Sequence, residues 1–352
     1  MKTLDKGEFP YQNLKSWFER EKRIFPWRDN PSPYAVWVSE VMLQQTRASV
    51  VVGYFTRWMA KFPTIESLAA APVDEVIKMW EGLGYYSRAR NLKEGAIHLT
   101  KHHNSLLPSD AKALSKVKGL GPYTIGAILS FAFHKKSAAV DGNVLRVISR
   151  MFAFEQEIDL PSTQKWIRER VEELLPDTES WVIMEALIEL GATLCGKKPA
   201  CEACPVQDAC QGYLLGKAEN LPKRKKRLPS IFLKRIVPVI YHRNELLLQK
   251  QEGKKVMAGL FEFPYFDEER HLKTFYPGHL QKVGNLKEVE HTFTRYRARL
   301  IPTLWEAEEK KEVEGFIWIE SEAMQKLPFS SGHRKITQEV LGKHANLTHG
   351  KF

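Results

Sequence analysis

All four cysteines of the chain fall within sixteen residues, in the run LCGKKPACEACPVQDAC, as Cys195, Cys201, Cys204 and Cys210. Thiols gathered this tightly ligate a soft metal or an iron–sulfur cluster far more often than they pair as disulfides. A secreted chain of 352 residues would spread its cysteines through the fold, and the opening MKTLDKGEFPYQ is not an apolar signal stretch. A reducing compartment, the cytoplasm, is therefore expected. The loop fastens whatever precedes it. A closed zinc site that only pins the chain and a four-iron, four-sulfur cluster both accept four cysteines, and spacing alone does not separate them.

The chain is long enough for two or three domains. Its net charge of +11 points to a polyanionic partner, a nucleic acid or a membrane surface, against the plain alternative of a solvated basic exterior. No apolar run approaches the roughly twenty residues of a membrane span, so no membrane insertion is expected. Up to about residue 215 apolar positions recur at three- and four-residue spacing, which predicts helices at 34–47, 85–102, 123–133, 144–154 and 181–194. The run LPKRKKRLP at 221–229 reads as a basic linker, for phosphate contact or simply as a charged connector. Beyond it, strand-like segments at 234–241, 245–250, 296–305 and 315–319 predict a separate α+β domain. The expected domains are 1–218, helical, with the cysteine loop at 195–210; 219–230, the linker; and 231–352, α+β.

Two local patterns carry chemistry. VKGLGPYT at 117–124 puts Gly119 and Gly121 in a tight turn between a short helix at 109–115 and the helical run IGAILSFAF. Backbone N–H groups at such a turn suit a DNA phosphate without reading sequence, although an ordinary helix–helix turn has the same appearance. Asp141, in AAVDGNVLRV, is a good helix N-cap. The helix N-terminus should keep it ionised, as a carboxylate facing a developing cation must be. Glu40 stands in YAVWVSEVMLQQTR, a helix apolar nearly all round and therefore buried. Burial should raise its pKa and make it a general acid, unless it is only paired with Arg28 or Arg47. One neutral and one ionised carboxyl together cleave glycosidic bonds through an oxocarbenium-like state.

These residues carry a resemblance. The hairpin with its downstream aspartate and the closing four-cysteine loop resemble the helix-hairpin-helix DNA glycosylases that include endonuclease III. The stretches PWR at 26–28, WVSEVMLQQTR at 37–47, WEGLGYYSRARNL at 80–92, GLGPYT, VDGNV, EALIELGATLC at 185–195 and GLFEFP at 259–264 are similar to the MutY adenine glycosylase family. The resemblance implies an all-α helix-hairpin-helix glycosylase domain with an iron–sulfur loop, followed by an α+β Nudix-like domain. It implies hydrolysis of the bond to adenine mispaired with 8-oxoguanine, or with guanine, in double-stranded DNA. By resemblance Glu40 protonates the base and later manages water, Asp141 stabilises the oxocarbenium ion or a short-lived adduct, and Tyr123 supports both carboxyls. Trp27, Arg28 and Glu185 would line the pocket for the flipped adenine, and Gln45, Leu83 and Tyr85 would wedge into the duplex around the opposite base. The resemblance favours a 4Fe-4S cluster on the four cysteines and a monomeric enzyme.

The chain departs from that pattern in three places. Five residues separate Cys195 from Cys201, where the family usually has six. The Nudix-like part lacks the REx2EE box after Gly259, so it should bind and not hydrolyse. The turn that by resemblance would meet 8-oxoguanine reads Phe293–Thr294–Arg295, where the family typically has Phe, Ser or Thr, then His. A pyrimidine-lesion glycosylase with lyase activity is the alternative reading. Tyr123 argues against it, since a lyase needs an amine there to form a Schiff base.

Overall fold

The protein is described here from a computed structural model for residues 9–29, 31–226, 228–253 and 257–347, with side chains to residue 342. Arg227, the last of the five basic linker residues, lies outside them, as do residues 1–8 and 348–352. The chain divides into two compact units. One takes Met1–Ala70 with Asn91–Lys226, the other Ala71–Arg90 with Arg227–Phe352. The later division falls between residues 226 and 227. The grouping of 71–90 with the later part of the chain was not expected from a contiguous helical domain.

The first unit is helical, and its helices follow from local sequence. Pro33–Leu43 starts on Ser32, whose hydroxyl accepts from the Ala35 amide at 3.2 Å, with proline at the first position. Every residue from Tyr34 to Met42 is buried, as a helix apolar all round requires. It ends at Leu43, short of the expected 47: Gln45 is left-handed, with φ 59°, and Arg47 precedes the next helix, Ala48–Lys61. The first helix of the hairpin is Ala111–Leu114, and the Asp110 carboxylate accepts from the Ala113 amide at 2.8 Å. The second, Pro122–Ala127, continues as a π-helix over Ile128–Ala132. Between them Gly119 has φ +86°, and a Cβ there would lie 2.6 Å from Asn91 Cβ, so conformation and space both require glycine.

Gly142–Met151, Pro161–Leu174 and Ser180–Ala192 complete the frame ahead of the cysteine loop. The loop is tied down by Arg150, which is 2% exposed. Its guanidinium donates to the carbonyls of Leu221 (2.9 Å), Cys195 (3.2 Å), Gly196 (2.7 Å) and Lys197 (3.2 Å) and to Cys195 Sγ (3.2 Å). Part of the basic linker is also held to this unit: the Ile158 amide donates to Lys223 O, and the Lys225 amide to the Asp159 carboxylate, both at 3.0 Å.

The second unit is built on a mixed seven-stranded sheet. Its strands are β1 (Ile231–His242), β2 (Glu245–Lys250), β3 (Phe261–Glu262), β4 (Leu280–Asn285), β5 (Val289–Phe293), β6 (Tyr296–Ala307) and β7 (Ile317–Glu320). The path runs β3-β2-β1-β6-β4, with β5 on β6 and β7 on β2. The β1–β6 pair is parallel, in register from Ile231↔Tyr296 to Tyr241↔Glu306, and the other pairs are antiparallel. β3 to β5 were not read from the sequence. Helix Ser331–Leu347 closes one face: a Cβ on Gly332 would meet His291 Nδ1 at 2.7 Å, so its first turn lies directly on β5.

Candidate active site

A cavity of about 860 Å³ opens in the first unit, lined by Trp27, Arg28, Glu40, Gln45, Tyr123, Asp141 and Glu185 among others. The acidic residues and Tyr123 come from four elements, while Trp27 and Arg28 come from the short helix Pro26–Asp29 and Gln45 from the turn after the 33–43 helix. Glu40 comes from the 33–43 helix, Tyr123 from the second hairpin helix, Asp141 from the N-cap of Gly142–Met151, and Glu185 from Ser180–Ala192.

Glu40 is 6% exposed, and Tyr123 Oη donates a short hydrogen bond to its Oε2. Burial pushes the Glu40 carboxyl up to about 7; the charges of Asp141 and Glu185 push the same way, and the tyrosine bond and Arg28 oppose them. The pairing with Arg28 allowed from sequence is not the arrangement found. Arg28 donates from Nη2 to Glu189 Oε2 at 3.0 Å and from Nη1 to the Arg23 carbonyl at 2.8 Å, and its Nε lies 3.6 Å from Glu185 Oε2. Glu40 is thus held by a neutral phenol and keeps its acid form within reach of neutral pH.

Asp141 caps its helix as expected. Oδ1 accepts from the amides of Asn143 (2.9 Å) and Val144 (2.8 Å), and Oδ2 from Asn143 Nδ2 (2.7 Å). The helix N-terminus is not the whole of its environment. Burial raises it and outweighs the three hydrogen bonds and the Arg146 charge that lower it. Glu185 is likewise raised by burial despite Arg28. Glu189, one helical turn further and fully buried, goes the other way: the Arg23 Nε bond at 2.5 Å and the Arg28 pair hold it below the ordinary range.

The aromatic wall of the cavity is Trp27, buried and stacked on Phe25 at 4.7 Å between centroids. Leu83 and Tyr85 do not line this cavity and belong to the other unit. Leu83 is 7% exposed, so as a wedge it would have to leave its packing, whereas Tyr85 is 47% exposed in a left-handed conformation, φ 48°. Phe293, Thr294 and Arg295 form the β5–β6 turn. Thr294 is left-handed at φ 47°, Phe293 stacks on Tyr296 at 5.4 Å, and the exposed Arg295 lies 5.6 Å over the same ring.

Residues 38–177 match the HhH-GPD superfamily of base excision DNA repair proteins, and residues 236–339 match the NUDIX domain. An adenine DNA glycosylase of Buchnera aphidicola subsp. Baizongia pistaciae is 30% identical over 84% of this chain and 85% of its own length. The chain belongs to the adenine DNA glycosylase family. Adenine DNA glycosylases of Homo sapiens and Mus musculus are both 42% identical, over 59% and 57% of this chain, which spans 40% and 41% of theirs. Among solved structures, a thermostable thymine-DNA glycosylase has a TM-score of 0.54 at 29% identity, over 58% of this chain and 95% of its own. An endonuclease III–DNA complex shares the fold, with a TM-score of 0.52 at 23% identity over 61% and 99%.

Several residues of the site were not read from the sequence. Glu189 stands four residues after Glu185, a spacing that puts both on one helix face, and that was the available signal. Arg23 had none. Asn143 and Arg146 link the cap to the cysteine loop: Arg146 Nη2 donates to Asn143 Oδ1 at 2.9 Å and its Nε to the Cys195 carbonyl at 2.7 Å.

Proposed function

We propose that this base-excision glycosylase removes adenine paired with 8-oxoguanine, or with guanine, by hydrolysis of the N-glycosidic bond. The observation that carries the reading is a buried carboxyl raised to about 7, bonded by Tyr123 and sharing one cavity with a capped aspartate. The flipped base enters against Trp27, with Arg28 and Glu185 at its polar edge. Protonated Glu40 gives its proton to a ring nitrogen of adenine. The C1′–N9 bond breaks and its electron pair leaves with the base. The Asp141 carboxylate, held by three donors, faces the cationic sugar or joins it in a short-lived adduct. Water then adds at C1′, the Glu40 carboxylate takes its proton, and free adenine and an abasic site remain. Tyr123 offers no amine, so strand cleavage is not part of the reaction.

The hairpin around Gly119 and Gly121 meets the phosphate backbone; Phe293 and Thr294 read the base opposite the adenine, and Arg295 of the same turn meets a neighbouring phosphate. Gln45 and Tyr85, with Leu83 once released from its packing, fill the space that the flipped base leaves.

Cys195, Cys201, Cys204 and Cys210 would hold a 4Fe-4S cluster. The donor set fits. All four line one hollow with Leu194, Pro199 and Ala200, and Arg150 supplies a hydrogen bond to Cys195 Sγ. Such a cluster supplies a rigid anchor for the loop.

The test is a duplex carrying one adenine opposite 8-oxoguanine, guanine or thymine, incubated with the protein and heated with and without alkali. Cleavage only after alkali, and only with the first two partners, is expected. Cleavage without alkali would make the enzyme a lyase, and no cleavage in either would leave it a DNA-binding protein.

A further inference from the structure

Residues 71–90 belong to the second unit, and they include the WEGLGYY run at 80–86 that presents Leu83 and Tyr85. The turn is built from unusual backbone: Gly82 at φ 100°, Gly84 at φ 70° and Tyr85 at φ 48°. A non-glycine residue in that region persists only where its surroundings hold it. Part of the hold is local. Trp80 Nε1 donates to Gly84 O at 3.0 Å, and Arg88 donates to Leu83 O and Gly84 O at 3.1 and 3.2 Å.

The rest of the hold comes from residues 327–334. Arg334 donates to both Glu81 oxygens, at 2.6 and 3.1 Å, and the Phe329 amide donates to Glu81 Oε1 at 3.1 Å. Both side chains of the ion pair are nearly buried, at 15% and 16% exposure. Tyr86 Oη accepts from the Gly82 amide at 3.3 Å and donates to Phe329 O at 3.2 Å, so the loop backbone is tied to the same strut. Lys78 Nζ reaches Leu327 O at 3.1 Å. A bidentate, desolvated arginine–carboxylate pair is stiff as well as strong.

We propose that Glu81 and Arg334 are positioning residues through which the C-terminal part of the chain braces the 80–86 loop for entry into the duplex. The inference rests on the reading of Leu83 and Tyr85 as residues that enter beside the base opposite adenine. A side chain that parts stacked bases is pushed back by them. A turn of glycines and one left-handed tyrosine yields to that push unless something behind it resists. Glu81, two residues before Leu83 and gripped by Arg334, takes the load. The C-terminal part therefore does two things to the opposite strand: it reads one base and it steadies the loop that displaces it.

The test uses the full chain carrying Glu81→Gln, Arg334→Gln, both together, and Arg334→Lys, each checked for a wild-type melting transition. Excision is measured in single turnover opposite 8-oxoguanine and opposite an abasic analogue, where no base has to be displaced. The fluorescence of 2-aminopurine beside the 8-oxoguanine reports unstacking. Each Gln variant should lose at least about tenfold in rate, and most of the fluorescence rise, on the first duplex. On the second it should stay within about twofold of wild type. The double variant should match the weaker single, since one strut cannot be lost twice. Arg334→Lys should fall between, and it carries the test if Arg334→Gln does not fold. Equal losses on both duplexes, or none on either, overturn the proposal. Tyr85→Ala separates the causes. If it loses rate and fluorescence while the Glu81 and Arg334 variants keep both, the brace alone fails. If it loses neither, the reading of the loop as a wedge fails and the brace with it.

Discussion

Replacing Glu40 by Gln should stabilise the protein at alkaline pH while it abolishes excision. The Glu40 carboxyl lies at about 7 in the fold against an ordinary value of 4.5. Between those values the folded protein binds a proton that the unfolded chain has lost. Stability therefore falls as pH rises through the window and levels off above it. At about 1.4 kcal/mol per pH unit, the full window amounts to roughly 3 kcal/mol, and the part between pH 5.5 and 8 to roughly 2 kcal/mol. Gln carries no charge at any of these pH values and keeps an oxygen for the Tyr123 hydroxyl. Its extra amide hydrogens need a partner, which costs about 1–3 kcal/mol if they find none. That cost does not vary with pH, so the pH dependence of the difference isolates the carboxyl.

Melting of both proteins at pH 5.5, 6.5, 7.5 and 8.5 is the assay. A folded unit of this size shifts by about 2–4 °C per kcal/mol, so the offset between variant and wild type should grow by roughly 4–8 °C in the variant's favour. It should then flatten above pH 8. Excision should fall by about a thousandfold or more with duplex affinity nearly intact. In the wild type, excision should decline as pH rises through about 7. An offset that is the same at every pH would mean that Glu40 is not a buried neutral acid. Excision by the Gln variant at the wild-type rate would make the residue structural.

Tyr123→Phe removes a bond that lowers the Glu40 pKa, so the falling limb of the pH–rate profile should move to higher pH; a limb that stays or moves down contradicts the assigned contact. Asp141→Asn keeps a good helix cap, so its melting temperature should change little while excision drops by about a thousandfold; retained turnover would leave only the cap. Arg150→Met should purify with far less iron than the roughly four atoms per chain of the wild type, since its guanidinium fastens the cysteine loop; full iron content refutes that role. Arg295→Ala should weaken binding to 8-oxoguanine and guanine duplexes by similar factors and lower the salt slope by about one, as for a phosphate contact. A variant that loses only its preference for 8-oxoguanine would make Arg295 a lesion reader.

What the sequence disclosed was local. Glu40 was legible because its helix is apolar nearly all round, and Asp141 because a cap is written in three consecutive residues. The Tyr123–Glu40 bond joins residues 83 positions apart, and only the resemblance had paired them. The raised pKa of Asp141 was not legible for a related reason. The dipole of its own helix is a local quantity, but its burial is made by other elements, and burial wins. The helix expected to run to 47 stops because Gln45 turns left-handed, although QQTR has ordinary helix propensity. The strands β3 and β4 escaped notice because β3 has two residues and β4 is mostly exposed, with no alternating apolar face to read. The departure of 71–90 to the second unit could not be read at all. Its helical periodicity is that of any amphipathic helix, and what it packs against is decided by Glu81, Asp74 and Lys78 meeting Arg334, Lys250 and Leu327.

The four carboxyls around the cavity show how such a pocket keeps an acid usable. Glu40, Asp141 and Glu185 are all raised, and Glu189 alone is lowered. Burial opposes the charged form of every one, so the difference lies in who holds the cations. Glu189 takes Arg28 at 3.0 Å and Arg23 at 2.5 Å. That leaves Arg28 at 3.6 Å from Glu185, close enough to orient it and too far for a tight pair. Arg28 still pulls on Glu40, but as the last of five influences. Had the arginine reached Glu40 directly, its carboxyl would sit in the ordinary range or below, and no proton would be available near neutral pH. An ion pair that takes a fully buried carboxylate out of water is a poor source of stability, and Glu189 is such a carboxylate. Here its place in the site is electrostatic: Glu189 absorbs the positive charge that would otherwise ionise Glu40.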